Sequence, residues 1–130
     1  MISFHFHKSD NILHVKYTGT IGPSDIIDFF EKLYSNKNLP KVLYIIQDEI
    51  EAQFEDSNVN ISKAIELINR IVKQYTFIHV AIIQTAPIET AYSMIFKELV
   101  KAPNYHIEIF YSKNNALNWL KTTMNDSKKI

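Results

Sequence analysis

The chain has 130 residues, fourteen basic and fourteen acidic side chains in balance, and no cysteine. A domain of this length buries roughly two thirds of its unfolded surface, so a core without covalent staples is attainable, while disulfides, thiol catalysis and zinc-thiolate sites are excluded. Zero net charge, a single arginine (Arg70) and scattered lysines lack the basic footprint of a nucleic-acid binder.

The lack of cysteine also fits a reducing compartment, and the cytoplasm is the expected location. The start Met1-Ile2-Ser3-Phe4-His5 has no basic region ahead of an apolar core, and no apolar run approaches the ~20 residues that span a bilayer. Neither export nor membrane insertion is expected.

Residues 2 to 18 alternate between apolar and polar around Lys8-Ser9-Asp10-Asn11, which supplies turn chemistry, and so predict a β-hairpin. With Ser9 and Asp10 as the two loop residues, Phe6 faces Leu13, Phe4 faces Val15 and Ile2 faces Tyr17 on one apolar side. The other side carries Ser3, His5, His7, Ile12, His14 and Lys16.

Gly19 and Gly22 bracket the exit into a first helix, with Pro23 near its first position and Asp25 in its first turn. Its expected core stripe is Ile26, Ile27, Phe30, Leu33 and Tyr34. A third, buried strand is expected over Val42 to Ile46, followed by an acidic loop from Gln47-Asp48-Glu49 to Asp56-Ser57-Asn58. Ile61, Ala64, Ile65, Ile68, Ile71, Val72 and Tyr75 keep helical spacing and predict a second helix.

The run Phe77-Ile78-His79-Val80-Ala81-Ile82-Ile83-Gln84 is continuous, apolar and too short for a buried helix. Closed by Thr85-Ala86-Pro87 and followed by apolar residues at helical spacing, it reads as a buried parallel strand feeding a crossover helix. Tyr105 to Tyr111 predicts a fifth strand, and Ala116, Leu117, Trp119 and Leu120 the face of a last helix. The expectation is a single α/β domain over residues 1–123 with a frayed tail over 124–130. Its sheet has five strands, mostly parallel, with an antiparallel N-terminal edge strand, and carries four main helices.

This order of elements resembles the STAS fold, the family of sulfate-transporter and anti-sigma-factor-antagonist domains, and within it the SpoIIAA-like proteins of bacteria. The segment from Thr85 through Pro87 to Phe96 is similar to the family's strand-Pro-helix unit, and Ala116 to Leu120 to its closing helix. The resemblance implies a non-catalytic regulatory or protein-interaction module. Docking to an unknown protein partner is then expected through the third-strand loop and the start of the second helix, at Phe54, Asp56, Ser57, Asn58, Asn60 and Ser62. Anti-sigma antagonists carry an Asp-Ser-Ser/Thr-Gly phosphorylation signature there. This chain reads Glu55-Asp56-Ser57-Asn58-Val59-Asn60-Ile61-Ser62, without the glycine and the tandem hydroxyls, so constitutive rather than phosphorylation-switched docking is expected.

The alternative is a small-molecule or lipid carrier, its apolar ligand held between the sheet and the second or third helix and touching Phe54, Tyr92 and Phe96. No nucleophile sits in a Gly-x-Ser-x-Gly elbow, and two glycines cannot build a phosphate loop or a dinucleotide fingerprint, so neither an enzyme nor a cofactor is expected. Asp48, Glu49, Glu51, Glu55 and Asp56 read as a solvated acidic loop. His5, His7 and His14 share a strand face with no carboxylate accompanying them by spacing, so no metal site tighter than about micromolar is expected. Phe29, Phe54, Leu67 and Met94 fall off or at the border of the core stripes.

Overall fold

The computed structural model describes residues 1–55 and 61–128. Five strands, β1 (Ile2–His7), β2 (Ile12–Ile21), β3 (Val42–Phe54), β4 (Phe77–Ile83) and β5 (Tyr105–Phe110), lie in the order β1-β2-β3-β4-β5. β1 is antiparallel to β2 and every other pair is parallel. Between and after them run α1 (Pro23–Ser35), α2 (Ile61–Val72), α3 (Pro87–Leu99) and α4 (Lys113–Lys128).

Strands added one by one in a single direction, each through a crossover of the same hand, bring every crossover helix to one face of the sheet. Residues of α1, α2 and α3 accordingly share one core cluster with Leu13, Val15, Tyr17, Leu43, Ile45, Ile78, Val80 and Ile107. α4, which is not a crossover, covers the other face, where Ala116 and Leu120 pack on Ile12, Tyr44, Ile46, Ala81 and Ile83. It packs on β4, β3 and β5, and on this face Ser3, His5, His7 and Lys16 of the hairpin stay exposed.

The hairpin register is Ile2 with Tyr17, Phe4 with Val15, Phe6 with Leu13 and His5 with His14, as the alternation predicts. The loop is longer than the two residues expected: Lys8 to Asn11 all lie in the turn, closed by the Asn11 N–H donating to His7 O at 2.9 Å with Asn11 at φ 62°. A short polar side chain tolerates this left-handed conformation. Ile12, placed on the polar face from sequence, is fully buried there, because its position lies under the cluster that α4 seals.

Three further expectations are corrected. The buried stripe of α1 is Ile26, Phe29, Phe30 and Leu33, while Tyr34 is exposed. Phe29 turns inward because α1 also covers the hairpin, where its ring meets Phe4 at 5.4 Å and Tyr17 at 6.5 Å. Leu67 is likewise buried, whereas Met94 is exposed. More consequentially, the acidic loop expected after Ile46 is strand through Phe54, and the same holds for β2, which continues past Thr18 to Ile21. Lys16 pairs with Asp48 and Thr18 with Glu51, so β3 carries one extra residue against β2, a bulge beside Glu49.

At the foot of α1, Gly22 is the N-cap: its N–H donates to the Asp25 carboxylate at 2.9 Å, and Pro23 follows in the first turn. A Cβ at Gly22 would lie 2.9 Å from Glu55 Oε2, so a larger residue there would displace the end of that exposed side chain.

On the α4 face His79 is stacked on Phe77 at 4.3 Å and on Tyr44 at 5.0 Å, with Trp119 against its edge. Its Nδ1 is buried without a hydrogen-bond partner among the described residues. Burial, followed by the neighbouring His106, lowers its pKa to about 4. The unfolded chain therefore takes up a proton near the usual histidine value before the folded one does, and stability is lost as pH falls from about 6.5 towards about 4. His79→Phe keeps the stack and removes the titration, so by urea denaturation the variant should gain stability relative to the parent as pH falls from 7 to 5. Parallel pH profiles would mean that His79 is solvated.

The hairpin supplies a second test. Phe4→Asp places a charge against Phe29 and should cost about 3 kcal/mol, whereas His5→Asp, on the exposed side, should change stability by less than about 0.5 kcal/mol. Equal shifts in the denaturation midpoint would show that the inward face is misassigned.

Candidate functional site

Beyond Asp48, β3 has outrun β4, whose last paired residue is Ile83, and only β2 continues beside it. The chain leaving β4 turns into this gap. Gln84 is buried, its Oε1 accepting the Thr85 and Ala86 N–H groups at 2.9 and 3.0 Å just ahead of α3. Its Nε2 donates to Glu49 O at 3.3 Å. One turn into α3, Glu89 accepts the Phe54 N–H at 3.3 Å, and its own carbonyl accepts the Ser93 hydroxyl at 3.0 Å.

α3 consequently faces inward with polar residues. Glu89 and Ser93 are its buried members, while Ile88, Met94, Ile95 and Leu99 point outward. The apolar residues that mark this helix in sequence are mostly not those that face the sheet. Under its inner side lies a cavity of about 60 Å³ lined by Tyr17, Glu49, Phe54, Ile61, Tyr92, Ser93, Phe96 and Tyr105 among others. The Phe54 ring meets Tyr92 at 5.9 Å and Tyr17 at 6.3 Å, and Phe96 meets Phe30 at 6.3 Å.

Glu49 is the distinctive group. Its side chain is 2% exposed; Oε2 accepts the Gln47 amide at 2.5 Å, and Oε1 has no partner among the described residues. Burial raises its pKa to about 7 against the opposing side-chain hydrogen bonds of Gln47 and Gln84, with the nearby charges of Asp48 and Glu89 adding to the rise. Burial also raises the pKa values of Tyr17 and Tyr105, so both phenols keep their protons. Among the described residues the wall thus offers one carboxyl able to donate or accept near neutral pH, in a lining that apart from Gln47 and Ser93 is aromatic and aliphatic.

Of the residues singled out from sequence, Phe54, Tyr92 and Phe96 are brought together around this cavity. Ser62 is exposed in the first turn of α2, and Asp56, Ser57, Asn58 and Asn60 lie outside the described residues. Glu49, placed in a solvated loop from sequence, is buried instead, because β3 continues and turns it inward. The missed members, Tyr17, Gln84, Glu89, Ser93 and Tyr105, had only weak signals. Extending the period-2 alternation of Leu43 and Ile45 through Gln47 would have reached Glu49, and the spacing Glu89, Ser93, Phe96, Val100 is that of one helix face.

No protein-family model matches the chain, and neither does any curated protein sequence. Among solved structures, it is similar to an uncharacterised protein of the DUF3478 family with a SpoIIAA-like fold from Shewanella loihica PV-4. The two share 19% identity with a TM-score of 0.61, over 92% of this chain and 93% of that one. The fold is therefore SpoIIAA-like, in agreement with the resemblance drawn from the order of elements. No helix among the described residues is long and apolar enough to cross a membrane.

The buried carboxyl makes stability depend on pH. The unfolded chain releases this proton near 4.5 and the folded chain near 7, so between these values the folded state binds more protons and stability falls as pH rises. The loss is complete above about pH 7 and amounts to about 3 kcal/mol. Glu49→Gln abolishes it: measured by urea denaturation, the variant should gain about that much on the parent between pH 5 and pH 8. An unchanged difference between the two pH values would show that Glu49 titrates like a surface carboxyl.

Proposed function

We propose that this domain is a non-catalytic, cytoplasmic binding module that holds a small organic molecule in the pocket beneath α3. The observation that carries the reading is the buried Oε1 of Glu49, without a hydrogen-bond partner among the described residues, in a wall dominated by the rings of Tyr17, Phe54, Tyr92, Phe96 and Tyr105. A buried polar atom left without a partner costs on the order of 1–3 kcal/mol, and a ligand that bonds it recovers this. The space admits only a few non-hydrogen atoms. The ligand that fits therefore inserts a small hydroxyl, amide or carboxyl end towards Glu49 and lays an apolar body against the rings.

Binding rather than turnover is favoured by the state of the Ser93 hydroxyl in the cavity lining. Ser93 is already committed to the Glu89 carbonyl, one turn back in its own helix, and no base activates it among the described residues. Exposed Ser62 and the half-buried Phe54 belong to the protein-docking alternative, whose other residues lie in segment 56–60.

Native mass spectrometry of the protein purified from its source cell tests the reading. The expected result is a small-molecule mass retained by the parent and lost in Glu49→Leu and Phe96→Ala, with circular dichroism unchanged. A bare parent chain, recovered with a stoichiometric protein that Ser62→Arg releases, would replace the pocket reading with the docking one.

A further inference from the structure

At the tip of the hairpin, on the sheet face away from the pocket, three side chains converge that sequence spacing did not connect. His7 closes β1 and His14 lies diagonally across from it on β2, so their rings stand on the same face with centroids 4.1 Å apart. The turn then brings in a carboxylate. With Asn11 at φ 62° and its N–H bonded back to His7 O, Asp10 folds over the strand pair, and its Oδ2 lies 2.8 Å from His14 Nε2. Asp10 is also held from its other oxygen, since Oδ1 accepts the Ile12 N–H at 3.0 Å.

We propose that His7, Asp10 and His14 form a binding site for a divalent transition-metal ion of the zinc class. One ligand atom from each residue lies within 4.8 Å of the others. Tetrahedral ligands at zinc bond lengths stand about 3.3–3.5 Å apart, so the set is near the spacing that one shared ion needs. Two imidazoles and one carboxylate are borderline nitrogen and oxygen donors, which favour Zn²⁺, Ni²⁺ or Cu²⁺ over Mg²⁺ or Ca²⁺. Three protein ligands leave a fourth position to water, on a face that the exposure of His7 keeps open to solvent.

The hydrogen bond from Ile12 orients the Asp10 carboxylate from outside the ligand set, as supporting partners do in metal sites. His5, whose ring stands 4.9 Å from that of His7, is the next imidazole along the face and is not a ligand in this assignment. The ion replaces the His14–Asp10 contact with two metal bonds and ties the turn to both strands.

Isothermal titration of the untagged protein with ZnCl₂ and NiCl₂ at pH 7.5 tests the site. The expectation is one ion per chain with a dissociation constant on the order of micromolar, weakened at least tenfold by His14→Ala and by Asp10→Asn, and within about threefold of the parent in His5→Ala. Asn at position 10 can still accept the Ile12 N–H, so that variant keeps the turn. Imidazole ¹H–¹⁵N signals of His7 and His14 should shift on Zn²⁺ addition while that of His106 stays in place. No saturation below about 100 μM, affinity unchanged in Asp10→Asn, or affinity abolished by His5→Ala would each overturn the assignment.

Discussion

The architecture turns on one strand being longer than its neighbour. β3 stays paired with β2 as far as Phe54 but leaves β4 behind at Asp48. Backbone groups beyond that point face a sheet position with no strand in it, and buried backbone groups require partners. Side chains supply them, through Gln84 to the Glu49 carbonyl and Glu89 to the Phe54 N–H. Two long polar residues are thereby drawn to the root of α3, and a helix whose inward positions hold Glu89 and Ser93 cannot close on the sheet as an apolar helix would. The cavity and the Glu49 carboxyl in its wall follow from how that overhang is satisfied.

The bulge beside Glu49 belongs to the same arrangement. Without the extra residue, the alternation of Ile45, Gln47 and Glu49 would continue inward through Glu51 and Gln53. With it, Ala52 and Phe54 turn inward, and Glu51 turns to the opposite face to meet Lys16 at 2.8 Å. One inserted residue therefore delivers both the buried carboxyl and the aromatic ring of the pocket, and keeps the remaining charges in water.

Much of the fold was legible because its signals are local. The hairpin register follows from strict alternation in β1 and β2, and β4 from an uninterrupted apolar run bounded by turn residues. The far half of β3 was not legible, since Gln47, Asp48, Glu49, Glu51 and Gln53 carry no apolar period and the bulge breaks what alternation exists. The orientation of α1 depended on a non-local neighbour: nothing within the helix says that Phe29 must reach Phe4. At the pocket, Phe54, Tyr92 and Phe96 stand out as large aromatics, but its polar half joins residues 35 positions apart. In the hairpin, Asp10 was read as turn chemistry alone, and only its left-handed neighbour Asn11 explains why its carboxylate lies over His14.

The strand order also bears on how the chain assembles. Because the strands lie side by side in the order in which they occur, each new one docks on an edge completed by the strand synthesised just before it, and no earlier position has to be reopened. The sheet can grow in one direction as the polypeptide emerges, with the hairpin as the first local nucleus and long-range loop closure kept to single crossovers. α4 emerges after all the strands on which it rests. Until it docks, Tyr44, His79 and Ile83 form an open apolar face, so the sixteen-residue α4 is the step that takes this face of the sheet out of water.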